Sequence, residues 1–270
     1  MTTTDDERPS VAAQDEALWR GVLLGTSPEL KRARRFWKHL PSDPRCKMCW
    51  SPFAGLGGVL SRLTFHGPMP RNPTMCGFCA RDLRNHPGGA EIELSVLFAD
   101  IRDSTTVAES MAATAYRTLL ERFYRVASEA ITTHDGIVDK FLGDGVMALF
   151  IPAFTGEGHA GRAVDAARNL LRRIGEMPEG LPVGIGVHTG TAFTGVVGTD
   201  DQRDFSALGD AVNVAARLGS MASANRILLS VPAARAAGVN ADRARSIELK
   251  GRQELLDVIE LQTNGSTSHA

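Results

Sequence analysis

Net charge is nearly absent from this chain: 30 Lys and Arg stand against 31 Asp and Glu over 270 residues, a balance of −1. That excludes a protein that coats nucleic acid, which needs an excess of cationic side chains. Long apolar runs are missing too, and nothing approaches the roughly 18 to 20 apolar residues of a membrane-spanning helix. The opening residues, MTTTDDERPS, lack both the basic start and the apolar run of a secretory signal, so the expected location is cytoplasmic. Cysteine does not occur outside one short region, Cys46 to Cys79, and that clustering needs its own explanation. The length suffices for one main domain with a good core and a smaller module beside it.

Residues 1–14 are polar and without periodicity, and are expected to be disordered. Segment 15–42 has helical spacing through Leu18, Val22, Leu30, Ala33, Phe36 and Trp37, and Ser27-Pro28 with Glu29 marks a helix start. Its run KRARRFWK reads as a solvated basic face with Phe36 and Trp37 buried; the sharper reading is a docking face for an acidic partner or lipid head groups. Residues 43–86 are rich in Cys, Pro and Gly, and RNHPGGAE is a linker. From 91 to 262 strands and helices alternate. IELSVLFAD opens with a strand, and one or two helices follow between Thr105 and His134. HDGIVDKFLGDGVMALF is a hairpin, and HAGRAVDAARNLLRRIGE is a helix. PVGIGVHTG and AFTGVVG read as a strand pair, Ala211 to Met221 as a helix, and ILLS and LLDVIEL as late strands. The tail 263–270 is expected to be disordered. This order predicts an α+β fold, a ferredoxin-like βαββαβ sheet with helices on one face, preceded by a helical segment and a small cysteine module.

Two carboxylates stand out. Asp100 ends the first strand, and Asp144 sits between Gly143 and Gly145 at the hairpin tip. A strand end and an adjacent hairpin tip meet at one edge of such a sheet, so the two acids should lie side by side. Unpaired, they would repel, and one would take up a proton or both would share a cation. A hard divalent ion with oxygen ligands fits, because Mg²⁺ needs only one or two carboxylates and completes its shell with substrate phosphates. The turn IRDSTT into the next helix favours phosphate. Each acid alone is ordinary: Gly-Asp-Gly is common turn chemistry, and an Asp after a strand is a common helix cap.

In series, however, LFADIRDST, HDGIVDKFLGDGVMALF, HAGRAVDAA, GIGVHTG, GVVG and FSALGDAVNVAARL resemble the catalytic domain of class III nucleotidyl cyclases over residues 91–262. The resemblance implies two Mg²⁺ or Mn²⁺ ions per site, held by Asp100, Asp144 and the backbone of Ile101. It implies Lys140 and Ser206 as the purine-selecting pair, Asn213 as the residue that orients the ribose, Arg217 as the transition-state arginine and Lys250 as a triphosphate ligand. Asn213 and Arg217 are four apart and share a helix face. In the family the aspartates come from one chain and the remaining groups from another, so a homodimer with shared sites is implied. Two positions depart from the usual pattern: Asp103 replaces a small residue near the phosphates, and Ser206 stands where one adenylyl subgroup has Asp. Lys140 can donate to adenine N1 and Ser206 can accept from N6, which favours ATP over GTP. The implied activity is an adenylate cyclase that makes 3′,5′-cyclic AMP and pyrophosphate; the alternatives are a guanylate cyclase or a silent cyclase-fold signalling protein. His134, His159 and His188 are read as structural.

The cysteines form two C-x-x-C knuckles, Cys46/Cys49 and Cys76/Cys79, which together complete one tetrahedron. Zn²⁺ is the leading ligand, an iron–sulfur cluster uses the same donors, and disulfides suit a cytoplasmic chain least. The surrounding loops build little core, so a metal would stabilise the module directly. Its role is either a structural brace or a sensor.

Overall fold

The computed structural model describes residues 11–40, 43–178, 180–199, 201–249 and 254–262. Expected tail 263–270, most of tail 1–14 and Lys250 lie outside these residues. The part of the first tail that is described is helical, since α1 spans Val11–Leu23. Helix α2 (Pro28–Trp37) starts where the sequence indicates: Pro28 occupies the first turn and the Ser27 hydroxyl accepts from the Leu30 amide. The cysteine region, expected to be mostly loop, carries two helices, α3 (Gly55–Leu63) and α4 (Gly77–Asn85).

The main domain runs β1 (Gly89–Ile101), α5 (Ser104–Glu109), α6 (Ala113–Thr133), β2 (Ile137–Leu142), β3 (Gly145–Phe150), the short α7 (Pro152–Thr155), α8 (His159–Gly175) and β4 (Val183–Thr199). Then come β5 (Gln202–Leu208), α9 (Asp210–Met221), β6 (Arg226–Ser230), α10 (Val231–Ala236), β7 (Arg245–Ile247) and β8 (Leu256–Gln262). The sheet order is β2-β3-β1-β4-β6-β8-β7, with β5 folded back on β4. Strands β2-β3-β1-β4 are antiparallel neighbours in the ferredoxin-like arrangement. Strands β5 and β7 are additions to the elements read from sequence.

β4 is the main departure. PVGIGVHTG and AFTGVVG are halves of one 17-residue strand, paired with β1 from Gly89↔Gly195 to Ile101↔Val183. The glycines that look like a break are there for a helix. A Cβ at Gly186 would lie 2.1 Å from the Gly219 amide nitrogen, and one at Gly190 would lie 3.3 Å from the Ala211 Cβ. Both target residues belong to α9, so this helix rests almost directly on the β4 backbone.

Alternation along β1 divides the core. Leu97, Ala99 and Ile101 face α6 and α8, where Phe123, Ala127, Ala163 and Leu170 are buried. Ile92, Leu94 and Val96 face the opposite layer, which holds Trp19 and Leu23 of α1, the four cysteines, and Ala211 and Ala215 of α9. The two ferredoxin helices thus share one face, and the N-terminal module with α9 covers the other. Of the two aromatics of α2, Trp37 is buried as expected but Phe36 is 65% exposed. Consecutive helical residues point about 100° apart, so both could not enter one core. The three histidines have protein partners: His159 bonds Ser95 at 2.9 Å, His188 bonds Ser230 at 2.8 Å, and His134 donates to the Ala130 carbonyl at 2.8 Å.

Gly186→Ala is expected to lift α9 from the sheet and to cost about 3 kcal/mol, the upper end for overpacking; denaturant unfolding of the purified variant measures it.

Candidate functional site

The carboxylate corner is assembled by strand register. Asp100 pairs with Gly145 across β1 and β3, and the Ile101 amide donates to the Asp144 carbonyl at 3.1 Å. Gly143, with φ +65, makes the tight corner that leaves Asp144 at the tip. The two side chains are close enough that the Asp144 charge acts on Asp100. Burial pushes the Asp100 carboxyl above the usual range; Arg102 pulls it down, and Asp144 pushes it up again. The Arg102 guanidinium donates to the Asp100 carboxylate and, at 2.6 Å, to the Ser220 carbonyl in the last turn of α9. Two adjacent carboxylates whose mutual repulsion is only partly offset are a donor set suited to a hard divalent cation. Asp103 is exposed at a left-handed φ of 54, at the start of α5.

Sequence reasoning misses three groups around this corner. Tyr124 donates from its hydroxyl to the Gly143 carbonyl, and its ring stacks on Phe141 at 4.3 Å. The Tyr116 phenol is raised by burial and then by the Asp144 charge. Arg102 is the third. A signal exists for the tyrosines: the chain has only 2, and they fall eight residues apart on one face of α6.

The base-selecting candidates meet at a residue that no sequence motif marks. The β2–β3 register shifts between Val138 and Lys140, leaving Asp139 in a bulge. The Asp139 side chain is fully buried; its Oδ2 accepts from the Ser206 hydroxyl at 2.8 Å and lies 3.3 Å from the Lys140 ammonium. Its Oδ1 is buried with no hydrogen-bond partner among the described residues. Burial pushes the Asp139 carboxyl up, while Ser206 and Lys140 counter that. On α9, Asn213 is exposed and Arg217 half-buried, and neither side chain has a hydrogen bond or ion pair among the described residues. Lys250 lies outside the described residues.

The four cysteine sulfurs are buried and lie within 4.8 Å of one another, with Cys46–Cys79 at 3.9 Å and Cys49–Cys76 at 3.7 Å. Sulfurs around a tetrahedral Zn²⁺ with bonds of about 2.3 Å stand about 3.8 Å apart, so the cluster fits one such ion. Amides assist: Cys76 N–H donates to the Cys46 sulfur and Cys79 N–H to the Cys76 sulfur, both at 3.4 Å. The basic α2 is partly an internal tether. Arg34 donates to the carbonyls of Met48 at 2.6 Å and of Ala153 at 3.3 Å, joining the first knuckle to the main domain. The module also holds β2: the Asn72 side chain donates to the Val138 carbonyl at 3.3 Å and accepts from the Val138 amide at 2.9 Å. Trp19 stacks on Phe205, next to Ser206, at 6.4 Å.

The mixed α+β sheet carries paired carboxylates at the end of β1 and, on α9, the Asn213 and Arg217 side chains. The chain belongs to the adenylate and guanylate cyclase catalytic domain family, whose sequence profile matches residues 90–260. It is 32% identical over 181 residues to the terminal-differentiation-specific adenylate cyclase of Dictyostelium discoideum, covering 62% of this chain and 8% of that one. Adenylate cyclase 1 of Rhizobium meliloti (strain 1021) is 34% identical over 137 residues, 48% of this chain and 21% of its own. The chain therefore spans less than a quarter of either relative. Among solved structures, the guanylyl cyclase Cya2 superposes with a TM-score of 0.60 at 26% identity, covering 64% of this chain and 93% of that one. The adenylyl cyclase CyaB from P. aeruginosa gives 0.58 at 27% identity, with 63% and 93% covered. Similar scores for the two activities mean that the base must be read from side chains. No helix among the described residues is long and apolar enough to cross a membrane.

Asp144→Asn is expected to raise the stability of the cation-free protein slightly, by about 0.5 kcal/mol at this partly exposed corner, while abolishing divalent-cation binding measured by calorimetry. Cys76→Ser is expected to remove one bound metal per chain, measured by elemental analysis, and to lower the melting temperature.

Proposed function

We propose that this chain is an adenylate cyclase that converts ATP to 3′,5′-cyclic AMP and pyrophosphate as a homodimer with shared sites. The observation that carries the reading is that one chain holds both half-sets. It has the carboxylate pair at the β1–β3 corner, and on α9 it has Asn213 and Arg217, whose side chains find no partner among the described residues of their own chain. Such groups are expected to face a partner or a ligand.

In the reaction the ribose 3′-oxygen attacks the α-phosphorus, the bond to the β-phosphate oxygen breaks, and the hydroxyl proton is lost as pyrophosphate leaves. Asp100, Asp144 and the Ile101 backbone would hold Mg²⁺ or Mn²⁺, which supplies positive charge to the phosphates and lowers the pKa of the attacking hydroxyl. From the partner subunit, Asn213 orients the sugar so that its oxygen lies in line with phosphorus. Arg217, one helical turn on, places fixed positive charge where charge develops at the α-phosphate. Lys140 and Ser206 take the adenine edge, and Lys250 takes the triphosphate. Tyr124 keeps the hairpin tip in place. The four-cysteine site binds Zn²⁺ and braces the module against the sheet, because the buried thiol set matches the geometry of a closed structural site.

GTP is the second reading, because relatives of both activities share the fold. It is disfavoured by Lys140, a donor where guanine presents its own N1–H.

Purified protein with ATP or GTP and Mg²⁺ or Mn²⁺ is expected to yield cyclic AMP in preference to cyclic GMP; absence of both products, or a preference for cyclic GMP, overturns the reading. Arg217→Ala is expected to lower kcat roughly 10²-fold or more, as for other oriented donors. Mixing Asp144→Ala with Arg217→Ala is expected to restore roughly a quarter of wild-type activity, since half the dimers formed by random pairing carry one intact site of two. No recovery from two folded, dimeric variants overturns the shared site.

A further inference from the structure

A serine hydroxyl is an ambiguous reader of a purine, because it can donate to guanine O6 as readily as it accepts from adenine N6. Ser206 is not ambiguous in this chain. Its proton is committed to the Asp139 carboxylate at 2.8 Å, so only its lone pairs remain. We infer that Asp139, buried in the β2 bulge between Val138 and Lys140, is the positioning residue that sets base specificity: it turns Ser206 into an obligate acceptor and holds Lys140 as the donor beside it.

Three observations meet here. The register shift between Val138 and Lys140 leaves Asp139 outside the regular pairing, and its Oδ2 lies 3.3 Å from the Lys140 ammonium. The Asp139 side chain is fully buried, whereas that of Lys140 is 39% exposed, so a purine meets Lys140 directly and feels Asp139 through its two neighbours. The second carboxylate oxygen, Oδ1, is buried without a donor among the described residues. A cluster with one donor and a surplus of acceptors matches the adenine edge, which offers an acceptor at N1 and a donor at N6. Guanine reverses both, setting N1–H against the ammonium and O6 against lone pairs. Ser206 is itself fully buried, so on this inference a purine reaches its lone pairs only where Lys140 and its surroundings move aside.

This rests on the adenine reading of the site, and the test separates the two. Measure kcat and KM with ATP and with GTP for the full chain, Asp139→Asn, Ser206→Ala and the Asp139→Asn/Ser206→Asp double variant, with melting temperatures alongside. Asp139→Asn is expected to lower the ATP-to-GTP ratio of kcat/KM at least 10-fold, mainly by raising KM for ATP, because a group that recognises a donor discriminates through unpaired polar contacts. Ser206→Ala is expected to lower the ratio likewise. Returning a carboxylate in the double variant is expected to restore much of the preference. A folded Asp139→Asn with an unchanged ratio, or with equal losses for both nucleotides, overturns the inference and leaves the adenine reading intact. If Asp139→Asn does not fold, an unchanged ratio in Ser206→Ala overturns it. Wild-type preference for GTP overturns the adenine reading and this inference with it.

Discussion

The pairing of β1 with its two neighbours places the carboxylate pair of the main domain. Thirteen residue pairs join β1 to β4, and β3 locks the other edge so that Asp100 lies opposite Gly145. Side chains alternate with a period of two, so a slip of one residue would turn Asp100 toward α6 and bring Leu97 and Ala99 out of their core. The same register sets the Ile101 amide under the Asp144 carbonyl, which holds the hairpin tip against the strand end. The acids are therefore held by backbone hydrogen bonds that do not depend on the state of their own carboxylates. That matters for a pair whose mutual repulsion would otherwise push the corner open.

The close seat of α9 on β4 does the same for the other half-set. Gly186 faces the backbone at Gly219, so the helix axis is pinned to the sheet rather than floating on a layer of side chains. Pinning the buried side through Ala211, Ala215 and Leu218 turns Asn213 and Arg217 outward. Arg102 then ties the C-terminal turn of α9 to Asp100. One arginine thus balances charge at the corner and fixes the helix end beside it.

Much of this is legible in the sequence, and the exceptions share a cause. The strand end at Asp100, the Gly-Asp-Gly tip, the knuckle cysteines and the capped start of α2 are local patterns with local explanations, and they appear where the pattern puts them. The continuity of β4 is easily misread because glycine is ambiguous: it serves a turn or a close approach, and only the position of α9 decides which. Phe36 and Trp37 both look interior by composition, although adjacent helical positions seldom share a face. Asp139 is invisible because its role depends on a bulge and on Ser206, far away in sequence. Arg34 is hidden in a run of charges whose other members are solvated. In each of these cases the deciding contact is long-range.

The N-terminal module belongs to the same network. β2 is an edge strand of the sheet, and an unpaired edge bends easily. Asn72, only a few residues before Cys76, closes that edge at Val138 with two hydrogen bonds, and the bulge carrying Asp139 follows at the next residue. On β5, Trp19 packs on Phe205 immediately before Ser206. The Lys140–Asp139–Ser206 cluster is thus held from behind by groups of α1 and of the cysteine loop, rather than by the ferredoxin-like core. A buried carboxylate at 2.8 Å from a hydroxyl is sensitive to small shifts, because hydrogen bonds weaken steeply as distance and angle degrade. Bracing the two strands from a module that four cysteines organise is therefore a stringent way to hold such a cluster, and it gives the second knuckle, through Asn72, a direct mechanical connection to the strand that carries Lys140.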